Sequence, residues 1–261
     1  MKKLLAILLC VLMAAALVAC GSGKKEAGKA DFKVGAVLVG DENEGYTYAH
    51  IEGIKGAVKR LGLSEDCIIW KYTIGETEAC YDACVDCVAK GAKLVITNSY
   101  GHQSFCQQAA AKYPDVEFVA MTGDTAKASG LPNFHNAFTN IYEARYVGGV
   151  VAGMKLQQLL DEGKVQDKNM DGENIKIGYV GAYPYAEVVS GYTAFYLGIK
   201  SIVPNVVMDV QYTNSWFNIT AESEAAKALI ERGCIIIGQH ADSTGAPATC
   251  EEDLTKKDTT V

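Results

Sequence analysis

Proline is scarce in this chain of 261 residues, with 5 in all. With 49% apolar and 21% charged residues, the composition is that of a folded globular protein and not of a low-complexity or disordered one. Basic residues are also in deficit: 24 Lys and Arg face 31 Asp and Glu, for a net charge of −7. That balance excludes general nucleic-acid binding, which needs a basic surface to displace the counterions of phosphate. No apolar run reaches the roughly 20 residues that a spanning helix requires. There is no G-x-S-x-G elbow, no H-E-x-x-H pair and no P-loop, and 35–40 lacks the spacing of a dinucleotide-binding turn. His102, His135 and His240 fall at or near expected strand ends, and His240 with Asp242 has the makings of a base–acid pair. No activated nucleophile accompanies them, so an enzyme is not expected.

What is present begins at the N-terminus. Lys2 and Lys3 precede an apolar run over 4–17, and the run ends in Leu17-Val18-Ala19-Cys20. A short positive segment, an apolar segment and small residues before a cysteine form an export signal. The last four residues resemble a bacterial lipobox, which implies acylation of Cys20 and cleavage before it. Residues 1–19 are then the signal peptide and 20–30 a flexible tether on the extracytoplasmic face of the cell membrane. Of the 9 cysteines, Cys10 belongs to the signal and Cys20 to the lipid, so the remainder is odd. Cys80, Cys84 and Cys87 share one helix face. A metal site and a set of buried thiols both fit that spacing. Ala79, Ala83, Val88 and Ala89 around them, with no histidine nearby, favour buried thiols.

Periodicity predicts alternating strands and helices. Strands are expected at 32–39, 68–72, 93–97 and 117–121, with helices at 49–61, 76–90 and 103–112. A long helix at 142–160 tolerates Gly148, Gly149 and Gly153, which points to close packing against another backbone. The alternation restarts after a polar loop, with strands at 176–181, 206–212 and 234–238 and helices at 186–203 and 220–232. Two such runs predict an α/β protein of two doubly wound parallel-sheet lobes, 31–141 and 142–261. Ligands of such sheets lie beyond the carboxyl ends of the strands.

The loops at those ends alternate amides, hydroxyls and carboxylates with flat rings. They hold Asn43 and Tyr46, Asn98 and Ser99, Asp124, Tyr185, Trp216, and Gln239 with His240 and Asp242. This mixture suits a polar small molecule with a planar part, its faces covered by rings and its edges met by polar groups.

At these residues the chain resembles the basic membrane protein family. The likeness is carried by the lipobox, Gly53-Ile54, the stretch from Tyr142 through Gly153, Trp216-Phe217, and Gln239-His240-Ala241-Asp242-Ser243. The resemblance implies a type I periplasmic-binding-protein fold with a hinge between lobes. It further implies the lipid-anchored binding component of an ABC importer, similar to purine nucleoside receptors, monomeric and docking on a membrane permease. In the first loop Tyr46 falls on the family's aromatic stacker, Asn43 on an acid and Thr47 on an amide. Thr122, with Asp124 close by, falls on a further acid, and Asn218 falls on another. Asp242 matches the acid that grips ribose hydroxyls, and Trp216 is the expected partner of Tyr46 from the second lobe. The alternatives are a binder of another polar solute, such as a sugar, and a lipid-anchored sensor that presents its ligand to a receptor.

Asp167, Asn169, Asp171 and Gly172 match the start of a calcium loop, although the twelfth position is Gly178 where an EF-hand has Glu. A solvated loop is the competing reading. Family members continue past the 239–242 loop, so a second lobe of fewer strands, or a shortened chain, is expected from the resemblance.

Overall fold

The computed structural model describes residues 32–258. The signal peptide, Cys20 and the tether lie outside the described residues. The first sheet has the order β2-β1-β3-β4-β5 and is parallel throughout. Its strands are β1 (Lys33–Val37), β2 (Ile68–Lys71), β3 (Ala92–Thr97), β4 (Glu117–Met121) and β5 (Phe134–Ala137). They are linked by α1 (Gly45–Arg60), α2 (Glu78–Ala89), α3 (Gln103–Lys112) and α4 (Ala126–Ser129). Alternate residues of β1 and the segment after it face opposite layers. Ala36 and Leu38 pack on Ile51 and Val58 of α1, while Val37 packs with Val95, Phe118, Cys80, Cys84 and Cys87. The three cysteines are fully buried, Cys106 of α3 joins them, and no described cysteine is in a disulfide. Among the described residues no group of His, Cys, Asp or Glu is gathered to hold a metal ion.

The second sheet is built on β7 (Asn174–Gly181), paired in parallel with β8 (Val206–Tyr212) on one side and β9 (Ile236–Gln239) on the other. A two-residue strand, β6 (Met170–Asp171), pairs antiparallel with its start. The helices here are α5 (Ile141–Asp161), α6 (Ala186–Lys200), α7 (Ile219–Glu231) and α8 (Gly245–Asp258). Among the described residues no helix is long and apolar enough to cross a membrane.

The element order agrees with the periodicity, with local departures. The first strand is shorter than 32–39. The first helix starts at Gly45, not at 49, because the Glu44 side chain accepts from the backbone N–H groups of Tyr46 and Thr47 and so caps it. The strand expected at 234–238 is displaced to Ile236–Gln239. Strand β5 was not anticipated, since FHNA carries two polar residues. It is tied in by buried Asn133, which donates to the carbonyls of Ala110, Tyr113 and Val116.

The expected calcium loop is a correction. The Asn169 side chain is buried, its oxygen accepts from the Gln166 N–H at 3.0 Å and its nitrogen donates to the Gly233 carbonyl at 2.8 Å. It closes a short turn onto the chain and is turned away from the solvent-facing side of the loop, where Asp167 and Asp171 lie exposed.

The glycines of α5 do allow close packing. An added Cβ at Gly149 would lie 2.1 Å from the Phe195 carbonyl oxygen of α6, whereas one at Gly148 would meet nothing within 4 Å. We predict opposite outcomes for the two alanine variants. Gly149→Ala should lose roughly 1–3 kcal/mol or more to overpacking, outweighing the gain in helix propensity. Gly148→Ala should gain about 0.5–1 kcal/mol. Urea denaturation of both variants checks this.

Candidate functional site

Parallel strands deliver all their following loops to one edge. In the first sheet the order in which strands are added reverses between β1 and β3, where a crevice opens beyond the strand ends. The loops after β1, β3, β4 and β5 meet the loops after β7, β8 and β9 around a cavity of about 1130 Å³. The first lobe contributes Glu44, Tyr46, His50, Glu76, Ser99 and Thr122 to the wall, and the second Arg145, Tyr183, Glu187, Trp216, His240 and Asp242. The lobes also touch directly. The Trp216 indole N–H donates to Glu76 Oε1 at 3.1 Å, and the rings of Tyr100 and Tyr185 stack with centroids 5.3 Å apart.

Five of the ten expected ligand-binding residues line the cavity: Tyr46, Ser99, Trp216, His240 and Asp242. The Tyr46 hydroxyl donates to the Asn98 carbonyl, and its ring meets His50 edge-on with centroids 4.6 Å apart. Burial pushes the Tyr46 phenol well above its ordinary range, so it stays neutral, and burial likewise holds His50 below its usual value. The other five stand elsewhere. Asn43 is exposed and donates to Asp41 at 3.0 Å. Asn98 is buried. It accepts from the Val39 N–H at 2.8 Å and donates to Thr47 at 3.3 Å, so it shapes the floor from behind. Asp124 is exposed and accepts from the Tyr100 hydroxyl at 3.4 Å. Tyr185 forms part of the contact between lobes. The Gln239 amide nitrogen donates to the carbonyls of Ala241 and Ser243 and thereby fixes the turn that presents His240 and Asp242. These five are corrections to the expected wall: Asn98 and Gln239 are engaged by backbone groups, Asn43 and Asp124 by neighbouring side chains, and Tyr185 by the Tyr100 ring. Of the other histidines, His102 is buried against the Ile74 carbonyl at 2.9 Å, and His135 pairs with Glu117 on an exposed strand.

Three acids at or behind the wall, Glu76, Glu187 and Glu222, are not among the residues expected from the sequence. Glu76 precedes α2 and accepts from Ser99 Oγ at 2.6 Å and from the Gly101 N–H at 2.8 Å as well as from Trp216. Glu187, in the first turn of α6, pairs with His240 at 2.8 Å, with both side chains largely buried. Glu222 is fully buried on α7. It accepts from Ser243 Oγ at 2.6 Å and from the Asn218 N–H at 3.0 Å, knitting two of the loops together. Each is an acid in a helix's opening turns or just before it, a placement that sequence alone attributes to capping. Thr122 faces the cavity with φ +60°, a left-handed conformation costly for a β-branched residue.

Asp242 differs from the other acids: among the described residues no protein donor holds its carboxyl. Its side chain is exposed toward the cavity, and the surrounding walls of the two lobes partly desolvate it. That desolvation, with Glu44, Glu222 and Glu187 adding to it and Arg145 opposing it, pushes its pKa up to about 7. The arrangement can accept hydrogen bonds from a ligand's hydroxyl or N–H groups at Asp242 while rings lie against its faces.

Two lobes of parallel sheet with a ligand-sized cavity between their strand ends are the arrangement of the type I periplasmic-binding-protein fold. Solved structures agree. An ABC transporter solute-binding protein of Aeropyrum pernix K1 superposes with a TM-score of 0.70 at 14% identity, over 87% of this chain and 60% of that one. One from Actinobacillus succinogenes 130z, with bound D-allose, gives 0.60 at 15% identity, over 85% and 74%. The chain belongs to the Bmp family, described as ABC transporter substrate-binding protein PnrA-like, whose pattern it matches over residues 33–255. It is 35% identical over 216 residues to a purine-binding protein of Brucella abortus, covering 82% of this chain and 55% of that protein. It is 33% identical over 153 residues to a putative ABC transporter glucose-binding protein of Haloferax volcanii, covering 59% and 34%. The chain thus spans about half, or less, of the length of these two relatives.

The raised pKa of Asp242 has a definite sign for stability. The folded state keeps the proton up to about pH 7, whereas the unfolded chain releases it near pH 4. Its contribution to stability is therefore fully present below the unfolded value and is lost as pH rises to about 7. Asp242→Asn should raise the melting temperature of the ligand-free protein at pH 8, by an amount that solvent screening of this exposed side chain keeps small, and by distinctly less at pH 4.5. Scanning calorimetry at the two pH values checks this.

Proposed function

We propose that this protein is the extracytoplasmic binding component of an ABC importer, held to the membrane by lipid on Cys20, and that it captures a purine nucleoside or base for a membrane permease. The observation that carries the reading is the cavity itself. A carboxylate without a protein donor, Asp242, stands among the rings of Tyr46, Tyr183 and Trp216 between two lobes. Rings on the faces and an acceptor at the edge are what a planar heterocycle with N–H or hydroxyl donors needs. The Bmp family and the Brucella purine-binding relative support the same reading. Ligand contacts to both lobes favour the closed form, in which Trp216 meets Glu76.

A second reading, a sugar ligand, draws on the wall's carboxylates, which suit a ring of hydroxyls, and on the glucose-binding name of the Haloferax relative.

The first test is mass spectrometry of small molecules released on denaturing the purified protein, together with a heat-shift screen. A purine in the extract and a higher melting point with inosine or adenosine are expected; a shift with glucose alone would establish the second reading instead. Asp242→Ala should weaken purine nucleoside binding about tenfold or more by calorimetry, because it removes a charged acceptor. Wild-type affinity should rise with pH through about 7 as the carboxylate forms, and this rise should vanish in the variant. Cys20→Ser should release the protein from the membrane fraction and abolish labelling by a fatty-acid probe; unchanged labelling would remove the anchor from the proposal.

A further inference from the structure

Among the described residues, Arg145 is the single Arg or Lys in the wall of the cavity. It projects from α5 and lies alongside Gly191, one turn beyond Glu187 on α6: a Cβ there would sit in ordinary contact, 3.6 Å from Arg145 Cγ and 3.8 Å from His240 Cδ2. A guanidinium has five N–H donors. Here Nη1 makes one long bond, 3.4 Å, to the Gln239 carbonyl, while Nε is buried without a partner. Arg145 takes part in none of the ion pairs among the described residues. The neighbouring acids are held elsewhere, Glu187 by His240 and Glu76 by Ser99, Gly101 and Trp216. A half-buried guanidinium with unfilled donors is unfavourable until something accepts from it, and the open side of this one is the cavity.

The acceptor is a neutral one. Glu44, Glu76, Glu187 and Asp242 share the wall with Arg145, so a phosphate or carboxylate would meet more negative than positive charge. The acceptor must also suit a planar fork. In a purine, O6 and N7 of a 6-oxo base offer two adjacent acceptors, the pattern that arginine reads on guanine, whereas adenine offers N7 beside an amino donor that guanidinium repels.

We infer that Arg145 is the specificity-determining residue of the site and selects 6-oxopurines, such as hypoxanthine and guanine or their nucleosides, over adenine compounds. The inference rests on the purine reading given above.

Calorimetric titration of the wild-type protein, Arg145→Gln and Arg145→Lys with inosine, guanosine and adenosine tests it. Wild-type protein should bind inosine and guanosine about tenfold or more tightly than adenosine. Arg145→Gln should lose that preference or reverse it, since a carboxamide pairs with the amino and N7 groups of adenine. Arg145→Lys, which keeps the charge but not the fork, should weaken inosine while leaving adenosine nearly unchanged. Equal binding of inosine and adenosine by the wild type would overturn the inference and leave the purine reading standing, as would an equal loss of both in Arg145→Gln. Binding of no purine at all would overturn both. Should one variant fail to fold, the other decides together with the wild-type comparison.

Discussion

One carboxylate joins the two halves of this molecule. Glu76 is fixed in the first lobe by Ser99 Oγ at 2.6 Å and the Gly101 N–H at 2.8 Å, and it reaches the second lobe through the Trp216 indole at 3.1 Å. A charge-assisted acceptor with three donors is strong and directional. Because two of the donors belong to its own lobe, Glu76 is already oriented when Trp216 arrives. The Tyr100–Tyr185 stack adds a second contact between lobes. Every other feature of the site presupposes this juxtaposition: Tyr46 and Asp242 lie on different lobes and wall the same cavity only when the lobes meet.

The fold was legible because its signals are local. The alternation of apolar runs and helical stripes follows from two periodicities, and the helix stops at Gly91 and Gly233 both carry positive φ. The tolerance of α5 for glycine was legible for a physical reason as well, since Gly149 and Gly198 bring the backbones of α5 and α6 together. What escaped was set by tertiary contact. Strand β5 exists because β4 offers it a partner, not because FHNA favours extension.

The site was half legible, and the split has a cause. Residues read as ligand contacts because they are amides, such as Asn98 and Gln239, have two-sided hydrogen-bonding groups that the backbone uses first. The rings of Tyr46 and Trp216 keep their faces for the cavity even though their polar atoms are engaged, and Asp242 has no donor among the described residues. Arg145 was hidden in a helix that exposes several apolar side chains, Val147, Val151 and Met154 among them. Only the position of α5 against α6 shows that one side of that helix faces the cavity.

The acidity of the cavity is therefore less general than a count of carboxylates suggests. Glu44 caps α1, Glu76 joins the lobes, and Glu187 pairs with His240. Glu222, behind the wall, holds two loops. These carboxylates are structural, and their negative charge reaches the ligand only as a background field. That field has two consequences at the groups left without protein partners. It adds to desolvation in raising Asp242 to about 7, so the one unengaged acceptor changes charge near neutral pH. It also offsets the charge of Arg145, so that the guanidinium acts on a bound molecule through the direction of its N–H groups more than through long-range attraction. A site that sets the free carboxyl of Asp242 and the donor fork of Arg145 in a frame of engaged acids selects by hydrogen-bond pattern more than by net charge.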